Sequence, residues 1–425
     1  MHLAPAHALR GELTVPGDKS VSHRGVMFGA LAKGTTRITH FLEGADCLST
    51  IACFRKLGVT IDRGPDEILV HGRGLFGLDA PESILDCGNS GTTMRLLSGI
   101  LSAQPFSSAL TGDASIQKRP MKRILEPLSA MGAQIVSERG NGCAPLCITG
   151  SPLRGIAWQS PVASAQVKSA LLLAGLYAEG PTSVTEPARS RDHSERMLRA
   201  FGADLRVGEN TVTIQPAREL YAREVPVPGD ISSAAYFLAA AALIPDSELL
   251  LKNVGTNPTR DGILRVMLEM GADLTLLNEK KDGLEPTADL LIRTSHLHGT
   301  VMEGARIPTL IDELPILAVL ACFAEGETVI RDAAELKVKE SDRIRTVTEN
   351  LKHMGAEVSE TEDGMIIRGG RPLLGAEIEC YEDHRIAMSF AVAALAARGE
   401  TRLKNAGCVR ISYPEFFEDL ARLQR

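Results

Sequence analysis

A cationic surplus is missing from this sequence. Its 46 lysine and arginine residues face 53 acidic ones, and the net charge of −7 excludes a nucleic-acid surface spread over the whole protein while leaving room for one basic cleft. Aromatic residues are scarce, at 4% with Trp158 the single tryptophan, yet 44% hydrophobic and 23% charged residues are the usage of a globular chain, not a disordered or fibrous one. No CxxC pair occurs among the eight cysteines (Cys47, Cys53, Cys87, Cys143, Cys147, Cys322, Cys380 and Cys408), a scatter that predicts buried thiols in a reducing cytosol. No apolar run approaches the ~18 residues of a membrane span, and the opening MHLAPAHALRGEL has neither a basic n-region nor a long apolar h-region, so the expectation is a soluble, cytoplasmic protein.

Several motifs are missing too. There is no Walker A sequence and no HExxH, and the ten histidines form no convincing metal set. The run GRGLFG at 72–77 matches GxGxxG, but Pro81 and the loop-like LDAPES follow where a phosphate-binding helix should begin, which rules out a dinucleotide site there.

What is present is repetition. At 425 residues the chain exceeds the size at which one core keeps growing, so two domains are expected. The phrases Leu57-Gly58-Val59, Met131-Gly132-Ala133, Phe201-Gly202-Ala203, Met270-Gly271-Ala272 and Met354-Gly355-Ala356 each follow a helical apolar pattern and precede a strand pattern, with the glycine suited to the left-handed position after a helix. Between them recurs an Ala/Leu-rich helix starting near Ser20, Ser90, Ser164, Ser232, Asp312 and His384, at spacings of 68 to 80 residues. Six related α/β units result, too long for solenoid repeats, and three per domain is the simplest division.

Each Ala/Leu-rich helix opens on a polar cluster: Asp18-Lys19-Ser20, Asn89-Ser90-Gly91-Thr92-Thr93, Ser164-Ala165-Gln166, Asp230-Ile231-Ser232-Ser233, Asp312-Glu313 and Asp383-His384-Arg385. Helix capping explains the Ser, Asn and Asp residues. It does not explain Lys19 and Arg385, because a cation at a positive helix end opposes the macrodipole unless an anion binds beside it. GDKSVSHR (17–24) puts Lys19, Ser20 and Arg24 at one helix end, and GNSGTTMR (88–95) is a small-residue turn in which Gly91 leaves space for a ligand to approach backbone N–H groups. QKRPMKR (117–123) contributes Arg119. KVKESDR (337–343) sets Glu340 between Lys339 and Arg343, a general acid/base beside anion clamps if it lies in a cleft and a weak ion-pair cluster if it lies on the surface.

With SAQVKSA (164–170) and EDHRIAMSF (382–390), these motifs occur in the order and spacing by which the sequence resembles the 5-enolpyruvylshikimate-3-phosphate synthase family along essentially its whole length. The resemblance implies an inside-out α/β fold of two domains, each of three βαβαββ units. One domain is formed by 1–16 and 229–425 and carries Asp312, Glu340, Arg343 and Arg385; the other, 17–228, carries Lys19, Gly91, Arg119 and Ser164. It implies that Lys19, Ser20, Arg24, Ser164, Ala165, Gln166, Arg191, Asp312 and Lys339 bind shikimate 3-phosphate, and that Lys19, Gly91, Arg119, Gln166, Arg343 and Arg385 bind phosphoenolpyruvate. Lys19, Asp312 and Glu340 are the catalytic residues it implies, in an addition–elimination that needs no metal or organic cofactor, carried out by a monomer whose domains close on the substrates.

Departures from the family pattern are few. Ala165 and Leu96 replace a Ser and a Pro found in some members, and Ile411, with Arg410 before it, occupies a position that is lysine in another branch. Gly91 leaves room for glyphosate. Enolpyruvyl transferases that act on UDP-N-acetylglucosamine usually carry a reactive cysteine where this chain has Ala114, which counts against that alternative. A non-catalytic anion-binding protein would not need both Asp312 and Glu340, and an RNA-end-processing enzyme would need the broad basic surface that is missing.

Overall fold

Gly58, Gly132, Gly202, Gly271 and Gly355 all take φ between 81° and 101°. They follow the C-caps of helices Ala45–Lys56, Lys122–Ala130, His193–Ala200, Gly262–Glu269 and Arg343–His353. A side chain at such a φ strains the backbone, so glycine ends each helix and turns the chain into the next strand. The computed structural model describes residues 1–424.

The chain forms two units, one of Met1–Pro16 together with the chain from Pro228 onward, the other of Gly17–Val227. One sheet pattern recurs in both. In Leu85–Asp86, Ser107–Thr111, Gln134–Ser137 and Leu146–Thr149, the first strand runs parallel to the second, and the fourth lies antiparallel to both the second and the third. Helices Gly91–Leu101 and Lys122–Ala130 fill the two crossovers, giving βαβαββ. The sheets beginning at Ala157–Gln159 and Val301–Met302 repeat it in unbroken sequence.

The other three copies are built differently. The first strand of the Gly17–Val227 unit's opening sheet comes from the far end of that unit, where Leu220–Tyr221 and Glu224–Pro226 run parallel to Ala32–Thr39. In the other unit Arg10–Leu13 fills that place beside Glu248–Gly255. The sixth copy stops at Glu377–Glu379, helix His384–Ala396 and Thr401–Lys404, and the terminal His2–Leu3 pairs antiparallel to complete a three-stranded sheet. Six copies therefore exist, but the last is a βαβ piece with a borrowed strand.

Each unit buries the Ala/Leu-rich helices inside and turns its sheets outward. Ile231–Leu243 is buried at every position but Leu243, and it packs against Leu314–Phe323 and His384–Ala396, themselves buried at all but their last residues. Helices apolar on every side need neighbours on every side, and the surrounding sheets supply them. In the other unit Gly91–Leu101 packs against Ala165–Gly175 and Lys19–Leu31. None of the eight cysteines is in a disulfide. Cys143, Cys147 and Cys408 are only half-buried, which corrects the expectation of uniformly buried thiols; Cys147 alternates with the buried Leu146 and Ile148 and so faces away from the core. Among the described residues no helix is long and apolar enough to cross a membrane.

Candidate active site

In the Gly17–Val227 unit, helix N-termini carry the polar side chains. Asp18 caps Lys19–Leu31 by accepting from Val21 N at 2.9 Å, and Ser90 caps Gly91–Leu101 by accepting from Thr93 N at 3.1 Å. Ser164 caps Ala165–Gly175, whose first residue is Ala165. These caps fix the first turns from which the cations project. Lys19 pairs with Asp46. Arg24, buried at 3% exposure, donates to Ser194 Oγ at 2.7 Å, Ser169 Oγ at 2.9 Å and the Ser20 carbonyl at 2.9 Å, so its guanidinium is locked between three helices.

Gly91 lies beneath two more arginines. A Cβ there would come within 2.9 Å of Arg95 Nη1 and 3.6 Å of Arg119 Nη1. Arg95 donates to Gln166 Oε1 at 2.5 Å, and Gln166 donates to Thr92 Oγ1 at 3.2 Å, tying two helix starts together. Arg119 is oriented by Asn89, reaching Oδ1 at 2.6 Å and the carbonyl at 3.3 Å. Arg191 is half-buried on the loop before helix His193–Ala200. These five cations, Lys19, Arg24, Arg95, Arg119 and Arg191, gathered near positive helix ends, form an environment that favours phosphate and carboxylate groups.

Behind these cations runs a buried relay. His23 Nδ1 lies 2.7 Å from Thr50 Oγ1, which lies 2.7 Å from Thr93 Oγ1, which in turn donates to the Ser90 cap at 2.7 Å. Burial and the neighbouring Lys19 and Arg24 push the His23 imidazole well below its usual pKa, so it stays neutral.

The other unit gathers carboxylates around one arginine. Arg343, at 1% exposure, donates to both oxygens of Asp383 at 2.9 and 3.1 Å, to Glu340 at 2.5 Å and to Asp312 at 3.4 Å. Burial pulls the guanidinium down, and the Asp383 and Glu340 carboxylates outweigh it, so the charge is held more firmly than usual. Burial likewise opposes the charge on Asp383, and Arg343 outweighs it to leave that pKa lowered. Asp383 also accepts from Ser341 Oγ and caps its helix at Arg385 N, 3.0 Å away. Asp312 is ringed by cations, with Lys339 at 3.9 Å and Arg385 at 3.8 Å.

Every residue implicated by the motifs thus falls into one of two sets, Lys19, Ser20, Arg24, Gly91, Arg119, Ser164, Ala165, Gln166 and Arg191 in one unit and Asp312, Lys339, Glu340, Arg343 and Arg385 in the other. Arg410 belongs to neither described cluster and is exposed on the turn Ala406–Ile411. The motifs give no role to Asp46 or Arg95, and give Asp383 only that of a helix cap. Arg95 and Asp383 lie inside quoted motifs, where their presence was the signal; Asp46, 27 residues from Lys19, carries none. Among the described residues no group of three His, Cys, Asp or Glu side chains is arranged to hold a metal ion.

An α/β protein with helices enclosed by sheets, and with polar caps and cations at the helix starts, has the makings of a transferase for anionic substrates. The chain belongs to the EPSP synthase (3-phosphoshikimate 1-carboxyvinyltransferase) family, whose profile matches residues 3–420. It is 55% identical over 416 residues to the 3-phosphoshikimate 1-carboxyvinyltransferase of Shouchella clausii, covering 98% of this chain and 97% of that one. To the enzyme of that name from Desulforudis audaxviator it is 53% identical over 426 residues, covering 100% and 99%. The solved EPSP synthase of Acinetobacter baumannii superimposes with a TM-score of 0.89 at 50% identity, over 100% of this chain and 98% of that one.

Proposed function

We infer that this chain transfers the enolpyruvyl group of phosphoenolpyruvate to the 5-hydroxyl of shikimate 3-phosphate and releases phosphate. It is a 3-phosphoshikimate 1-carboxyvinyltransferase of the shikimate pathway. The observation that carries the reading is the grip of Arg343 on both Asp312 and Glu340, two carboxylates fixed by one buried cation.

The chemistry assigns work to each set. C3 of phosphoenolpyruvate takes a proton while the 5-hydroxyl oxygen forms a bond to C2 and gives up its own proton, and the product is a tetrahedral intermediate. The C2–O bond to phosphate then breaks as C3 returns a proton. Glu340 serves the C3 proton in both directions, Asp312 takes the hydroxyl proton, and Lys19 steadies the charge that grows on the leaving phosphate. Lys19, Ser20, Arg24, Ser164, Ala165, Gln166, Arg191, Asp312 and Lys339 hold shikimate 3-phosphate. Lys19, Gly91, Arg119, Gln166, Arg343 and Arg385 hold phosphoenolpyruvate, with arginine favoured where two oxygens are gripped at once. The enzyme works as a monomer in the cytoplasm, on small-molecule substrates alone.

The test is direct. Purified protein is incubated with shikimate 3-phosphate and phosphoenolpyruvate, and phosphorus NMR follows both phosphate and product. One phosphate released per enolpyruvyl ether formed is the expected result. A folded protein that forms no product overturns the function.

A further inference from the structure

A cluster of three charged side chains lies buried under the Ser164 turn and belongs to none of the residue sets above. Lys168, on helix Ala165–Gly175, is 1% exposed, and its Nζ lies 2.9 Å from Glu186 Oε2 and 2.8 Å from Glu195 Oε1. Glu186 directly follows strand Thr182–Thr185, and Glu195 is in the first turn of helix His193–Ala200. Burying two carboxylates beside one ammonium is costly, and replacing such a group by apolar residues is often neutral or stabilising, so stability alone is a weak account of it. Burial pushes the Glu195 carboxyl up, against the pull of Lys168, and Glu195 Oε2 makes no hydrogen bond.

Glu186 is the member that touches the site. Its Oε1 accepts the Ser164 backbone N–H at 2.9 Å. Its Oε2 accepts the Ser190 hydroxyl at 2.8 Å and the Ser190 N–H at 3.3 Å, beside the Lys168 ammonium. Lys168 closes the loop by donating to the Ser190 carbonyl at 3.2 Å. One carboxylate therefore sets the spacing between Ser164 and Ser190, the residue before Arg191. The same two helices hold Arg24 through Ser169 and Ser194, whose hydroxyls are 2.6 Å apart.

We propose, taking the activity inferred above, that Glu186 is a positioning residue for shikimate 3-phosphate, holding the Ser164 turn and the Arg191 loop at the separation that the substrate requires. Only a carboxylate accepts at both ends. In Glu186→Gln one end becomes an NH₂ group facing N–H and ammonium donors, so either Ser164 or Ser190 loses its partner. Lys168 keeps Glu195 as its counter-charge, so the variant retains a balanced buried pair and folds.

Steady-state kinetics with each substrate varied in turn decide the matter. Glu186→Gln raises the KM for shikimate 3-phosphate by about tenfold, the cost of one lost charged hydrogen bond. The KM for phosphoenolpyruvate moves by less than about threefold, and the melting temperature stays within about 4 °C of the parent. An unchanged KM for shikimate 3-phosphate overturns the proposal, and so does an equal loss on both substrates accompanied by a lower melting temperature. If Glu186→Gln does not fold, Glu186→Asp, too short to span both serines, must give the same selective KM rise; failure of both variants to fold makes Glu186 a structural residue and also overturns the proposal. Wild-type protein in the same assay separates this outcome from failure of the functional reading, since an inactive wild type sinks the activity itself.

Discussion

Arg343 and Asp383 hold each other at both ends, Nε to one carboxylate oxygen at 2.9 Å and Nη2 to the other at 3.1 Å, with both side chains essentially excluded from water. The pair keeps the guanidinium plane fixed while its remaining N–H groups reach Glu340 and Asp312. Asp383→Asn keeps the size but removes a charge, leaving a buried cation short of one counter-ion. We expect a loss of about 3 kcal/mol in urea unfolding at neutral pH, the lower end for a broken buried pair because two carboxylates remain. The pH dependence has a definite sign. The folded-state pKa of Asp383 lies below its ordinary 3.8, so its stabilisation is fully present above that value and is lost as pH falls through the folded value. The gap between parent and variant is therefore constant from pH 8 to 5 and narrows only below about 4. A gap that narrows already between pH 8 and 6 would contradict the pairing.

Glu340 and Asp312 share Arg343, and the roles proposed above give them different protons. Glu340→Gln retains an acceptor for Arg343 and cannot shuttle a proton, so kcat falls by about 10²- to 10⁴-fold. Calorimetry of shikimate 3-phosphate binding to this variant should match the parent. In D₂O the parent incorporates deuterium at C3 of the enolpyruvyl group and Glu340→Gln does so far more slowly. Asp312→Asn gives a kcat loss of the same order and also weakens shikimate 3-phosphate. Retention of parental deuterium incorporation in Glu340→Gln would remove Glu340 from the C3 proton.

How much of this was legible in the sequence follows from the range of the interactions. The helix ends were readable because a glycine at positive φ and a Ser or Asp cap act within a few residues, so Gly58, Gly132, Ser90 and Asp383 announce themselves locally. The strand exchange has no local signal and entered only through the family resemblance, which joins 1–16 to 229–425. Arg10–Leu13 buries only Leu13, and a four-residue strand with one inward side chain has no periodicity to read, although its pairing with Glu248–Gly255 places it across more than 230 residues. The cations proposed to bind anions were legible as motifs. Their supports were not, because Lys19–Asp46, Arg24–Ser194 and Ser164–Glu186 join residues whose adjacency exists only after the sheets have formed.

His23 supplies a second pH test of the opposite chemical type. Its imidazole is buried and its folded pKa lies well below 6.5, so below that pH the unfolded chain takes up a proton that the folded chain refuses. Stability thus rises with pH up to about 6.5 and falls on acidification, by as much as about 1.4 kcal/mol per pH unit from this group alone. His23→Asn can replace Nδ1 as the partner of Thr50 and has no such proton. The slope of unfolding free energy between pH 5 and 6.5 should be shallower in the variant by about one proton's worth. Equal slopes would mean that His23 titrates normally.

Gly91 tests whether the arginines above it meet phosphoenolpyruvate. In Gly91→Ala the new methyl carbon lands 2.9 Å from Arg95 Nη1, the far end of a flexible side chain, so the fold can yield without strain in the backbone. What must move is the guanidinium that grips Gln166 Oε1 at 2.5 Å, and through it the position of both groups toward an incoming anion. The melting temperature should therefore stay within about 2 °C. The KM for phosphoenolpyruvate should rise by about five- to thirtyfold, the effect of roughly 1–2 kcal/mol of lost anion binding, and that for shikimate 3-phosphate, which Gln166 also contacts in the proposed site, by clearly less. An equal rise in both KM values would mean that the methyl disturbs the Ser164 and Arg24 end of the site instead, and Gly91 would then lose its assignment to phosphoenolpyruvate.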